Sequence, residues 1–179
     1  MYPAATSFNQ AGVIMSDRTL VLLRHAKAAH SEGVADLKRA LTPRGHADAA
    51  VAGGWLAGQR LFPDLVLCSP ARRTRETWHG VAIALGPGAT ATTVAYDPVI
   101  YDADDAEELR DLLAATAPDV STLLVIGHNP TVSTLSALLD PAADEDGLRT
   151  CGLAVHRVPG AWRDLPAGAP LATAHTARA

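Results

Sequence analysis

Short apolar runs alternate along this chain with longer stretches in which apolar positions recur every three or four residues. Residues 20–23 (LVLL), 65–68 (LVLC) and 122–126 (TLLVI) are near-continuous and end at polar or turn residues, the pattern of strands buried on both faces. Residues 92–95 predict a further strand, and residues 153–158 a final one at the sheet edge. Helices fill the intervals. Thr42-Pro43 supplies an N-cap and a first-turn proline for a helix running to about Ala57, locally weakened at Gly53-Gly54. A second helix starts near Ala71, passes through Trp78 and Ile83 and is stopped by Gly86-Pro87-Gly88. Asp104 and Glu107 resemble a capping box that opens a third, from Ala106 to Ala115, with Leu109, Leu112 and Leu113 on one face. A fourth runs through Leu135, Leu138 and Leu139.

Strands alternating with helices predict an α/β fold, a three-layer α/β/α sandwich on a mostly parallel sheet. The 179 residues, 48% of them hydrophobic, suit one domain, placed at 17–179. Residues 1–16 read as a flexible extension without the basic and apolar regions of an export signal; Met15 leaves a later start open. The tail after Trp162 is rich in Ala, Pro and Gly and reads as irregular chain. No apolar run approaches the ~20 residues that cross a bilayer, which implies a soluble protein. A net charge of -4 gives no footprint for nucleic acid or for an anionic membrane, so any bound anion must be held locally. Cys68 and Cys151 each lie in an apolar run and read as buried thiols, which fits a reducing cytoplasm.

Three strand ends carry groups suited to phosphate. The first runs into Arg24-His25, the second into SPARR (69–73) and the third into Gly127-His128. Ligands of open α/β sheets sit beyond the carboxyl ends of strands, where helix N-termini add N–H donors, so these distant residues are expected to converge. Single readings are weaker. An Arg-His pair can be a polar loop, His128 a structural histidine, and Arg72 and Arg75 the solvated face of a helix. Ser69 reads as a cap or loop residue. His30, His46, His79, His156 and His175 show no metal-ligand spacing. Two attractive motifs fail: residues 86–91 match a dinucleotide-binding string but follow a helix, and Cys68 has Thr74 where a cysteine phosphatase places arginine.

Together, LVLLRHAKA (20–28), SPARRTRETW (69–78) and VIGHNP (125–130) resemble the three motifs of the histidine phosphatase, or phosphoglycerate mutase-like, superfamily. DLKRALTPRG (36–45) and the short length resemble its SixA-type phosphohistidine phosphatases most. The resemblance implies that His25 is a nucleophile forming a phosphohistidine intermediate. Arg24 and Arg73 would grip phosphoryl oxygens as planar forks, and His128 would add a donor. No metal or cofactor is implied. Arg39 belongs to the segment that in relatives packs beside the phosphate pocket, and Lys27 is placed at its entrance; Thr42 reads as a cap. Many members use a carboxylate between the second and third motifs as general acid, and Asp102, in YDADDAEEL, is the candidate here. The implied substrate is phosphohistidine in a protein, the alternatives being a small phosphomonoester or, without catalysis, phosphate binding alone.

Overall fold

A computed structural model describes residues 7–8, 14–15, 17–30, 32–103, 105–143 and 147–179. β1 (Ser7–Phe8) and β2 (Ile14–Met15) pair antiparallel, apart from the main sheet. The rest follows in the order β3 (Arg18–Arg24), α1 (Pro43–Gly58), β4 (Leu65–Cys68), α2 (Arg72–Leu85), β5 (Thr93–Tyr96), the short α3 (Val99–Asp102), α4 (Ala106–Ala114), β6 (Thr122–Gly127), α5 (Thr131–Leu139), β7 (Gly152–Val158) and β8 (Leu171–Thr176). The six-stranded sheet has the order β5-β4-β6-β3-β7-β8, and β5, β4, β6 and β3 run parallel.

Alternation along the central strands builds two cores. Val21 and Leu23 of β3 and Leu124 and Ile126 of β6 face α1 and α2. Leu20, Leu22, Leu123 and Val125 face the opposite layer, against Leu109 and Leu113 of α4 and Leu135 of α5. Each fully buried leucine contributes roughly 1.5–3 kcal/mol, so the strand ends stand on a platform that resists distortion. Gly53 does not break α1; a Cβ there would come within 2.7 Å of the Ala84 Cβ, so the missing side chain lets α1 lie close against α2.

Three expectations need correction. β7 is not the edge strand: it lies antiparallel between β3 and β8, and β8 closes the sheet. The tail is correspondingly ordered. Trp162 opens a 3₁₀ turn (Trp162–Ala167), is buried and donates its indole N–H to the Val120 carbonyl at 2.8 Å. β8 carries little apolar periodicity because its backbone ladder holds it, aided by the Asp140 carboxylate, which accepts from the Leu171 N–H at 2.7 Å. Finally, the cap of α4 is Asp105, whose side chain accepts from the Glu107 and Glu108 N–H groups; Asp104 lies outside the described residues. Among the described residues, no helix is long and apolar enough to cross a membrane.

Candidate active site

Buried hydrogen bonds bring the ends of β3, β4 and β6 into register. His25 N–H donates to the Gly127 carbonyl at 3.1 Å and Ser69 N–H to the Ile126 carbonyl at 3.0 Å. Ala26 N–H donates to Thr77 Oγ1 at 3.0 Å, and the Thr77 hydroxyl donates to the Arg73 carbonyl at 2.7 Å, tying the loop after β3 to α2. Thr42 caps α1 as predicted: its Oγ1 accepts from Gly45 N–H at 3.0 Å and donates to the Lys27 carbonyl at 3.2 Å, which fixes that loop from the other side. Gly127 is required at the exit of β6, where a Cβ would lie 2.8 Å from Val132 Cγ1 and 3.2 Å from Ile100 Cγ2.

The proton positions follow from the partners. His25 Nδ1 lies 2.8 Å from the Ala26 carbonyl, which can only accept, so Nδ1 carries the hydrogen and Nε2 keeps its lone pair. Burial, reinforced by Arg73, Arg24 and Arg39 and opposed by the Ala26 hydrogen bond, holds this imidazole down at about 4. It is neutral at pH 7. The His128 ring centroid lies 5.2 Å from that of His25. Arg73 Nη2 can only donate, so at 3.2 Å it makes His128 Nδ1 the acceptor and leaves the His128 Nε2–H to donate to Ser69 Oγ at 2.7 Å. Burial first, then Arg73, lowers His128 to about 3.

Arg24 donates Nη1 to the Leu148 carbonyl at 2.9 Å, while its buried Nε–H has no protein partner among the described residues. Desolvation lowers its pKa. Arg73 is almost wholly buried and donates Nη1 to the Asp36 carbonyl at 2.8 Å and Nη2 to Asp36 Oδ2 at 2.9 Å. Arg39 donates Nε to the Ala29 carbonyl and Nη1 to Asp36 Oδ1, both at 2.9 Å.

A cavity of about 310 Å³ collects six of the predicted residues, Arg24, His25, Lys27, Arg39, Arg73 and His128, with Ala28, Asn129 and Thr150 completing its wall. Asp102 is not in that wall; it is exposed at the last position of α3. Its neighbour Tyr101 faces the site instead, setting its ring edge on His128 at 5.5 Å between centroids and donating its hydroxyl to Asp36 Oδ2 at 2.9 Å. Successive helical residues point about 100° apart, so directing Tyr101 inward turns Asp102 away. Sequence reasoning missed Asp36, Tyr101 and the contact of Ser69 with His128. The available signal for Asp36 was its position three residues before Arg39, the spacing of a helical ion pair.

The motifs and arginines set aside in the sequence do not line this cavity. Cys68 is buried, and burial pushes its thiol up to about 12. Gly86 ends α2 with a positive φ of 58°, and residues 86–89 form a 3₁₀ turn. Arg72 pairs with Glu76 on the exposed face of α2, and Arg75 lies 5.3 Å over the Tyr96 ring. A larger groove of about 590 Å³ runs beside these residues and contains none of the predicted site residues. Among the described residues, no group of three or more His, Cys, Asp or Glu side chains is placed to hold a metal ion.

Residues 20–98 match the histidine phosphatase superfamily (branch 1). The chain is 30% identical over 134 residues to the phosphohistidine phosphatase SixA of Escherichia coli, spanning 74% of this chain and 81% of that one. It is 36% identical over 155 residues to an uncharacterized protein of Mycobacterium tuberculosis, spanning 82% and 93%. Among solved structures, a putative phosphohistidine phosphatase SixA from Nakamurella multipartitia superposes with a TM-score of 0.75 at 35% identity, covering 91% of this chain and 98% of that one.

Proposed function

This chain belongs to the histidine phosphatase superfamily and is a phosphohydrolase, and we propose that it removes the phosphoryl group from phosphohistidine in proteins without using a metal ion. His25 Nε2 attacks phosphorus, the bond from phosphorus to the substrate imidazole breaks, and the departing ring takes a proton from solvent. Water then attacks the phosphorylated His25, releasing inorganic phosphate and restoring the free imidazole. Arg24 and Arg73 neutralise the equatorial oxygens, with Lys27 and Arg39 at the rim. The Nε2–H that His128 gives to Ser69 becomes available to the phosphoryl group by exchange. These cations supply the charge that Mg²⁺ brings in kinases.

The observation that carries the substrate reading is the make-up of the wall: among the described residues lining the cavity there is no carboxylate. An alkoxide leaving group needs a placed acid, which Asp102 does not supply from its exposed position, whereas an imidazole is protonated readily by solvent. The likeness to phosphohistidine phosphatases supports the same substrate. The free, buried Cys68 and Cys151 suit a reducing cytoplasm.

The test compares a phosphohistidine protein with aryl, sugar and nucleotide phosphates. We expect kcat/KM on phosphohistidine to exceed that on the alkyl esters by about 10²-fold or more, the usual worth of a missing acid. Alkaline quench should trap label on His25, His25→Ala should abolish both label and turnover, and chelators should leave the rate unchanged. Efficient sugar-phosphate hydrolysis that disappears in Asp102→Asn would overturn the substrate assignment.

A further inference from the structure

The connection between β3 and α1 passes the pocket as an exposed 3₁₀ turn, Asp36–Lys38, whose acid gathers groups from three places in the chain. Asp36 Oδ2 accepts from Arg73 Nη2 and from the Tyr101 hydroxyl, and Oδ1 accepts from Arg39 Nη1, each at 2.9 Å. Burial pushes this carboxyl upward, but the hydrogen bonds from Arg39, Tyr101 and Arg73 outweigh it and hold the group at about 2. Asp36 is therefore ionised throughout the working range. Its side chain is half exposed, whereas that of Arg73 is almost wholly buried, so this ion pair fixes a guanidinium enclosed in the site. One carboxylate thus holds two arginines and a tyrosine at the edge of the cavity.

Each held group leads to the reacting atoms. Arg73 donates to His128 Nδ1, Tyr101 sets its ring edge on His128, and Arg39 lines the cavity. Asp36 grips the end of the Arg73 guanidinium through its carbonyl and Oδ2, and His128 takes a third N–H. Three of the five donors are thereby committed and the plane is fixed, with Nε–H and the second Nη1–H left over. We propose that Asp36 is a positioning residue for phosphoryl transfer, aligning Arg73 directly and His128 through Arg73 and Tyr101. This rests on the reading of His25 and His128 as the reacting pair.

The role has a signature that a structural role lacks. Alignment matters most in the transition state, while the negative charge of Asp36 slightly opposes binding of an anion in the ground state. For Asp36→Asn acting on p-nitrophenyl phosphate, we expect kcat to fall about 10- to 100-fold, the scale of a misplaced catalytic group, with KM unchanged or lower. Vanadate, a mimic of five-coordinate phosphorus, should lose affinity in calorimetry in parallel with kcat/KM. Inhibition by inorganic phosphate should hold or tighten. Asp36→Glu should recover part of the rate, and Tyr101→Phe should show the same pattern with a smaller loss. It also provides the test if Asp36→Asn fails to fold.

Unchanged or increased kcat in Asp36→Asn would overturn the proposal, because the carboxylate would then be a surface pair or an obstruction. Equal losses for phosphate and vanadate would overturn it too, since Asp36 would be shaping the pocket for any anion. Failure of the underlying chemistry reads differently: turnover and label surviving in His25→Ala would remove the nucleophile whatever Asp36→Asn does.

Discussion

Two histidine–serine hydrogen bonds of nearly equal length, His128–Ser69 at 2.7 Å and His156–Ser136 at 2.8 Å, are wired in opposite senses. In the first, Arg73 occupies Nδ1 as a donor, so the histidine gives its Nε2 hydrogen to serine. In the second, Nδ1 donates to the Ala169 carbonyl, so Nε2 accepts and serine gives the hydrogen. Burial lowers both pKa values, but Arg73 pushes His128 further down, whereas the Ala169 hydrogen bond and Asp140 partly offset the fall at His156. His156 is completely enclosed, while His128 forms part of the cavity wall beside arginines. A satisfied, neutral histidine is common to both places. Of the two, only His128 shares a cavity with arginines among the described residues.

Exchanging each histidine for alanine is the sharpest way to break this comparison. His128→Ala should lower kcat/KM about 10²–10³-fold, the cost of losing one transition-state donor, with the melting temperature nearly unchanged. Arg73→Lys comes next. It keeps the charge but cannot serve Asp36, His128 and substrate as one planar fork, so we expect a loss of about 10²-fold, against less than about twofold for Arg72→Lys on the exposed face. His156→Ala should act on stability alone. It leaves a cavity and strands the Ser136 hydroxyl and Ala169 carbonyl, so urea unfolding should show a loss of about 2–4 kcal/mol with kcat/KM per folded molecule unchanged. A catalytic defect in His156→Ala, or a folding defect in His128→Ala, would erase the distinction.

A separate prediction concerns pH dependence. His25 and His128 have folded pKa values of about 4 and about 3, below the ordinary 6.5, so the unfolded chain binds more protons in that interval. Stability should be flat above pH 6.5, fall as pH drops toward 4, and change little more from these groups below 3. The urea midpoint followed over this range checks the sign, and His128→Ala should shallow the slope. Ring ¹³C shifts should show His25 still neutral at pH 5.5; titration near 6.5 would contradict its burial among arginines.

Much of this molecule is legible in the chain itself. The LVLL, LVLC and TLLVI runs had to be buried strands, Thr42-Pro43 had to open a helix, and the motifs at three strand ends named five residues that share one cavity with Arg39 of the 36–45 segment. These signals are local. They depend on hydrophobic period, backbone sterics and the rule that parallel strands present their carboxyl ends together. Folding settled what no local signal encodes. Asp36 meets Arg73 across 37 residues and Tyr101 across 65, and His128 meets Ser69 across 59. One step of about 100° along α3 turned Tyr101 inward and left Asp102 outside. β8 shows little periodicity because a backbone ladder needs no particular side chains. The sequence by itself determined that Arg24, His25, Arg73 and His128 meet in one cavity, since burial and chain direction bring those strand ends together. Tertiary structure alone decided which carboxylate joins them and which way each histidine proton points, because both depend on partners that become neighbours only when separate elements pack.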